Sequence, residues 1–509
     1  MSAIKKVLIV GGGSAGWITA AYMNSALNAR KTMVEITLVE SASIGRIGVG
    51  EATVPTIRQV LQSVGISETE FMKRTDATFK QAIRFDDWHH IGDGGYYHPF
   101  QRRPMARIDR AGADWLMSDR SVPYAETVSV QPAFSDLGLS PRMAGSKDFG
   151  SPFPYAYHMD AEKFADYLRD ISVTRGVTHH VDDVTDVLQA ENGDITTVKT
   201  KGGLSLEADL FIDCTGFASL LTGKTLGTDF TDYGQWLLCD RAVAMRVPYD
   251  AYYPGEVKPY TTATALSHGW KWDIGLTDRR GVGYVYSSQF LSDDDAEAQL
   301  RAHEGAHSDG LDARRLMFRV GMRPQPWTKN CVAIGLSGGF IEPLESTGLY
   351  LIEFAAITLC EHFPFGEITE PLSKRFNEIM GSRYSEILDF INMHYCLTKR
   401  DDTEFWREVQ KEERITDSLK KKFDFWRFKP PTHSDFDDQL RLFSHQSYEY
   451  ILYGMDFQVA DGVLPPGDNA PPLVPADVRN IVEAGKTRLP KHADFLSQTL
   501  GRRIGQQLN

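Results

Sequence analysis

VLIVGGGSAGWITAAYM, residues 7–23, decides the fold. Val7 to Val10 form an apolar run of strand length, and Gly11, Gly13 and Gly16 follow at GxGxxG spacing. WITAAYM then reads as an apolar helix, and VEITLVE (34–40) as a second strand ending in Glu40. Strand, glycine turn, helix and strand with a terminal acid make a βαβ unit of the kind that binds a dinucleotide. The first glycine permits the tight turn, the second lets backbone amides approach a pyrophosphate, and the third lets helix and strand pack closely. The helix start favours the anion, and a terminal acid suits a ribose hydroxyl. Gly11, Gly13, Ser14, Ala15, Gly16 and Glu40 are therefore expected at a cofactor, against the plainer alternative of a glycine-rich structural turn.

The motif alone does not choose between NAD and FAD. Two later stretches, ADLFIDCTGFAS (208–219) and CVAIGLSGGFIEP (331–343), each run from an apolar strand into glycine turns, as flavoproteins do to hold an extended FAD. They add Gly335 and Leu336 to the expected cofactor contacts, and the loop-like GVGEATVP (48–55) adds Gly50 and Ala52. A second GxGxxG unit for a nicotinamide is absent from the sequence. FAD is the favoured cofactor, and the missing unit points to reduced flavin from elsewhere, although some single-component hydroxylases also lack a nicotinamide domain.

Working outward, the 509 residues suffice for two or three domains. A net charge of -13 and the lack of a basic stripe argue against nucleic-acid binding. No apolar run reaches the length of a membrane span, and the N-terminal apolar stretch is too short for a signal peptide. The five cysteines show no CxxC pairing, which suits free thiols in the cytoplasm. His89–His90 and His179–His180 lack further ligands at metal-site spacing, so no metal is expected. ENGD (191–194) marks a hairpin. From about Thr347 the pattern turns helical, through LYLIEFAAITLCEHF, KRFNEIMGSRYSEILDFINMHY and DTEFWREVQKEERITDSLKKKF, with a last helix near 476–495. The expected class is α/β: a GxGxxG module with mixed sheets over 1–350, then a mainly helical substrate cap over 351–509.

Three stretches outside the glycine motif carry chemistry. In GFIEPLESTGLYLIEF (339–354) a loop runs into Ser346, Thr347 and Gly348, where an apolar helix begins. Unpaired amides at such a start hold a small anion, although a plain cap by Ser346 or Thr347 explains the residues equally well when taken alone. In RTDATFKQAIRF (74–85) alternation sets Lys80, Ala82 and Arg84 on one strand face, ordinarily a solvated one. In HGWKWDIGL (268–276) the same alternation puts Trp270 and Trp272 together as an aromatic wall.

GGGSAGW, GVGEATVP, FKQAIRF, GWKWDIG and EPLESTG, in this order, resemble the flavin-dependent tryptophan halogenase family. The resemblance covers roughly residues 1–360 well and the helical remainder loosely. It implies that reduced FAD and O2 oxidise bromide or chloride held at Thr347 and Gly348. It further implies that hypohalous acid follows an internal tunnel lined by Trp270 and Trp272 to Lys80. Glu345 then polarises the Lys80-bound halogen or accepts charge from the reacting ring. His98, Phe100, Ser346 and Phe443 resemble pocket residues around an aromatic substrate. A separate NAD(P)H-dependent flavin reductase is the implied partner.

Two departures stand out. The final proline of the family's GWxWxIP is Gly275 here. In PPTHSDFDDQLRLFSHQSYEYILYGMDF (430–457) Ser444 stands where a tryptophan is expected, and an adjacent tyrosine pair that would grip an amino acid is missing. Buried ammonium and carboxylate groups need partners, so the expected substrate is indole or an indole derivative rather than free tryptophan. A flavin monooxygenase and a non-catalytic flavin carrier are the competing readings.

Overall fold

A computed structural model of the chain describes residues 4–45, 50–103, 109–249, 256–438, 440–460, 462–464, 470–472 and 474–504. The chain divides into two discontinuous units. The first comprises Met1–Asp76, Met159–Tyr233 and Phe318–Tyr384, the second Ala77–His158, Gly234–Met317 and Ser385–Asn509. The class is α/β with several mixed sheets, and among the described residues no strand follows Gly339–Phe340.

The first unit is built on a sheet in the order Trp327–Thr328, Cys331–Ala333, Leu210–Asp213, Lys6–Val10, Glu35–Glu40, Thr178–Val181. Its strands run parallel except for the edge pair Trp327–Thr328 with Cys331–Ala333. Helix Ser14–Asn28 packs against helices Ala161–Thr174 and Thr347–Glu361. Leu8, Val10, Val39, Phe211 and Cys331 form a buried core with Ile195 and Val198. The expected hairpin at ENGD joins strands Val184–Gln189 and Ile195–Thr200, with Gly193 at φ 86°.

In the second unit a seven-stranded sheet runs Ala313–Met317, Arg241–Pro248, Arg279–Tyr286, Gly269–Gly275, Thr261–Leu266, Ala82–Asp86, Gly95–Pro99. Only Thr261–Leu266 with Ala82–Asp86 is parallel. Val243, Val282, Tyr284 and Tyr286 pack under helix Asp293–Glu304 through Ala296 and Leu300.

The stretch read as helical over 402–423 comprises two helices, Glu404–Val409 and Asp417–Trp426. Thr403 and Thr416 each accept a backbone N–H as a new start. The last segment likewise splits into Ala476–Arg488 and His492–Leu500, divided at Pro490. No helix among the described residues is long and apolar enough to cross a membrane, and none of their His, Cys, Asp and Glu side chains cluster as a metal site. All five cysteines are free thiols.

Candidate active site

In the first unit the glycine loop is tightly determined. Gly11 has φ 111°, and a Cβ there would lie 2.2 Å from the Cys214 carbonyl oxygen. A Cβ on Gly16 would lie 1.9 Å from the Gly11 carbonyl oxygen, so helix Ser14–Asn28 rests directly on the turn. Gly335, at φ 76°, stands where a Cβ would be 2.7 Å from Ala15 Cβ. The stretch 331–343 therefore returns to the start of the first helix, bringing Gly335 beside Ala15; Leu336 follows in the same short turn, Gly335–Ser337. Gly13 caps this helix without a side-chain bond, and the space beside its Cα is open. Ser14, the first residue of the helix, follows it.

Glu40 ends its strand with its carboxylate against the loop. A Cβ on Gly12 would meet Glu40 Oε2 at 1.9 Å, and Glu40 Oε1 pairs with His179 Nε2 at 2.9 Å. Asp213, which the sequence reading passed over, ties the other return. Its carboxylate accepts from Thr215 Oγ1 at 2.6 Å, from Leu221 N at 3.0 Å, and from Thr222 N and Oγ1 at 2.8 Å each. An acid ending a buried strand before a threonine was the available signal. Gly50 and Ala52 lie on the short buried strand Gly50–Ala52, while Gly48 and Val49 of the same motif fall outside the described residues.

The loop before helix Thr347–Glu361 differs from a plain cap. Ser346 takes the left-handed conformation, φ 60°, and makes no side-chain capping bond. Thr347 is fully buried, and its Oγ1 has no hydrogen-bond partner. No atom lies within 4 Å of the position a Cβ on Gly348 would take. A buried hydroxyl, a helix dipole and a bare glycine suit an anion. Glu345 is buried in the same loop. Farther along the helix Glu353 accepts from Thr56 Oγ1 at 3.2 Å, and burial pushes its carboxyl up to about 8.

In the second unit Lys80 is not on a solvated face; it is 0% exposed. The strand expected over 79–85 breaks at Gln81 into Thr78–Lys80 and Ala82–Asp86, which join different sheets. Gln81 N donates to the Pro259 carbonyl at 2.8 Å, and Phe100 N donates to the Gln81 carbonyl at 3.0 Å. The second bond brings Phe100 back to the break, with Lys80 Nζ 5.1 Å from its ring centroid. This is within cation–π range. His98 lies 6.2 Å from Phe443 and 5.6 Å from Phe390 between ring centroids. Phe443 itself stacks on Phe390 at 3.7 Å and 9°.

Trp270 and Trp272 do share a strand face, on Gly269–Gly275, with ring centroids 6.3 Å apart. Both are buried, and neither indole N–H has an acceptor. The neighbouring strand makes room: a Cβ on Gly283 would sit 2.1 Å from Trp272 Cη2. On the other face, Lys271 and Asp273 enter a buried ion network. Lys271 Nζ meets Glu304 Oε1 at 2.6 Å, Arg280 meets Glu304 Oε2 at 3.0 Å, and Arg280 pairs with Asp273 at 2.7 Å. Sequence reading missed this network because its partners sit on two strands and a helix whose packing the local pattern does not reveal.

Comparison with known proteins gives the family of the chain. The profile of the tryptophan halogenase family matches residues 6–465. Tryptophan 6-halogenase SttH of Streptomyces toxytricini is 37% identical, covering 97% of this chain and 96% of its own. The tryptophan halogenase structure from Shewanella frigidimarina superposes with a TM-score of 0.89 at 35% identity, covering 99% of this chain and 98% of that one. BrvH, a flavin-dependent halogenase from Brevundimonas sp. BAL3, superposes with a TM-score of 0.85 at 35% identity, covering 97% and 99%. With its glycine cradle and the anion-ready start of helix Thr347–Glu361, the chain belongs to the tryptophan halogenase family and is a flavin-dependent halogenase.

Proposed function

We propose that the protein halogenates an indole-type aromatic ring with hypohalous acid delivered to Lys80. The observation that carries this reading is the complete burial of Lys80 under the Phe100 ring. A buried amine contributes nothing to solubility and must be compensated for its lost water, so its place inside the protein suits a functional group.

Gly11, Gly13, Ser14, Ala15, Gly16, Gly335 and Leu336 would hold FAD along the glycine loop, with Glu40 at its ribose. Gly50 and Ala52 complete that set. Bound in reduced form, FAD would pass two electrons to O2 and the halide two more, so that one oxygen leaves as water and the other, with the halide and a proton, becomes hypohalous acid. The buried Thr347 hydroxyl and the amides of Thr347 and Gly348 hold the halide beforehand. Trp270 and Trp272 form a dry wall whose free indole N–H groups suit a polar guest. Such a wall keeps an indiscriminate oxidant from other encounters.

Lys80 donates a hydrogen bond to the hypohalous oxygen and directs the halogen at the ring carbon. The carbon–halogen bond forms as the oxygen–halogen bond breaks, the displaced hydroxide takes a proton, and the ring loses its own. Glu345 takes the charge-accepting role. In the second unit His98, Phe100 and Phe443 would shape the space for the ring. The relatives are named for tryptophan. Here Ser444, whose buried hydroxyl has no partner, follows Phe443, and Phe443 is engaged with Phe390. These features favour a ring without a charged amino-acid tail. A separate NAD(P)H-dependent flavin reductase supplies the electrons, and the free thiols suit a cytoplasmic setting.

One assay tests the reading. The protein is supplied with a flavin reductase, NADH, FAD, O2, and either indole or tryptophan with bromide or chloride, and products are weighed by mass spectrometry. Halogenated indole exceeding halogenated tryptophan supports it. Added oxygen without halogen, or tryptophan turned over as fast as indole, overturns it.

A further inference from the structure

Strand Thr78–Lys80 pairs antiparallel with Ala156–Asp160, Thr78 opposite His158 and Lys80 opposite Ala156. Cross-strand partners share a face, and so do residues two apart. Thr78, Lys80, Ala156 and His158 therefore occupy one face. His158 is the diagonal neighbour of Lys80, and the small Ala156 stands directly opposite the lysine.

The hydrogen bonds around His158 fix its proton. Thr78 Oγ1 donates to the Gly275 carbonyl at 2.5 Å, so it meets His158 Nδ1, 3.4 Å away, as an acceptor. Nδ1 therefore carries the ring hydrogen. Nε2 is left as the acceptor, and Thr261 Oγ1 supplies the hydrogen at 2.8 Å. Both nitrogens of the neutral ring are used, and a second proton on Nε2 would require the Thr261 hydroxyl to give up donating and turn to accept. His158 and Thr78 are fully buried. Burial first, then the charges of Lys80 and His492, hold His158 well below the usual imidazole range. These two groups come from strand Thr78–Lys80 and helix His492–Leu500.

Gly275, which receives the Thr78 hydroxyl, is the last residue of the double-tryptophan strand. The relay thus fastens the lysine strand to the end of the tryptophan strand through side chains.

We propose that His158 is a positioning residue for Lys80, joining the lysine strand to Gly275 through Thr78 and to Thr261, and keeping a second cation off the lysine's face. The proposal rests on the reading of Lys80 as the group that directs the halogen.

Thr261→Val keeps the volume but removes the donor to Nε2, leaving a buried lone pair that takes up a proton more easily. Halogenated indole formed per NADH consumed is followed from pH 5 to 9, with FAD affinity and thermal midpoint measured alongside. The acid limb of Thr261→Val is expected to move up by about one pH unit, with its alkaline plateau falling less and FAD affinity unchanged. His158→Leu is expected to lose coupled product at least about tenfold. His158→Asn, whose amide replaces the Nδ1 donor, recovers part of it. An equal fall at every pH in Thr261→Val, or no change, overturns the proposal whether or not His158→Leu folds. Lys80→Ala separates the two levels: if it still makes halogenated indole, the reading beneath fails. If it is inactive while Thr261→Val keeps the wild-type acid limb, only the role of His158 fails.

Discussion

Lys271 Nζ and Glu304 Oε1 lie 2.6 Å apart, both buried, behind the strand whose other face carries Trp270 and Trp272. Burial alone would raise the glutamate. Hydrogen bonding from His303 and the charges of Lys271 and Arg280 instead hold its carboxyl far below the usual carboxylate range. Buried charge networks add little net stability over apolar packing, but they tolerate few alternative arrangements. This one fixes which face of the strand looks inward.

Breaking it from one side is therefore expensive. Glu304→Gln or Lys271→Met is expected to cost about 3–5 kcal/mol in denaturant unfolding, because the remaining charges stay buried. The double change should cost less than the two single losses added together. Single losses under about 1 kcal/mol would show the network to be solvated.

Thr347→Val separates binding from stability. The hydroxyl already lacks a partner, so its removal should leave the thermal midpoint unchanged or raise it. If that hydroxyl holds the halide, the halide KM should rise by about tenfold, equivalent to about 1.4 kcal/mol, with FAD affinity intact. Steady-state halogenation against bromide concentration reads this directly.

The glycine loop predicts opposite outcomes for neighbouring positions. Gly11→Ala forces a Cβ into the Cys214 carbonyl at a φ of 111°, and should destabilise the fold by more than about 2 kcal/mol. Gly13, at φ -75° with open space beside it, should accept alanine without loss of stability. If the pyrophosphate approaches there, Gly13→Ala still weakens FAD at least about tenfold. Calorimetric titration with FAD and a thermal melt decide both.

His492 predicts how the second unit meets acid. Its Nε2 accepts from Phe79 N at 3.1 Å and its Nδ1 donates to the Val257 carbonyl at 2.9 Å. Burial, against the pull of that carbonyl, lowers it to about 4. The unfolded chain takes up this proton first, so the group's stability is complete above about pH 6.5 and is lost as pH falls towards 4. The loss amounts to roughly 3 kcal/mol at about 1.36 kcal/mol per pH unit. His492→Gln, which keeps both hydrogen bonds, should flatten stability between pH 6.5 and 4. An unaltered slope in urea titrations would contradict this.

Short-range patterns were legible in the sequence. The glycine spacing gave the cradle, alternation put Trp270 and Trp272 on one face, and the start of helix Thr347–Glu361 lies where its loop motif indicated. What escaped depends on distant partners. The burial of Lys80 was not legible in its strand alone, because nothing local reveals that the strand breaks at Gln81 and pairs with Ala156–Asp160. His158 gave no signal in the sequence, because its partners Thr78 and Thr261 lie far away along the chain. The cap at Thr416 gave no signal, because periodicity does not register a cap within an amphipathic run.

Gly283 has a consequence for redesign. The Trp272 indole occupies the seat left by this missing side chain, so the depth of the ring is set by the adjoining strand. Any methyl introduced at 283 would evict the indole toward the interior. An engineer seeking to shift this indole should therefore edit the glycine and leave the tryptophan in place.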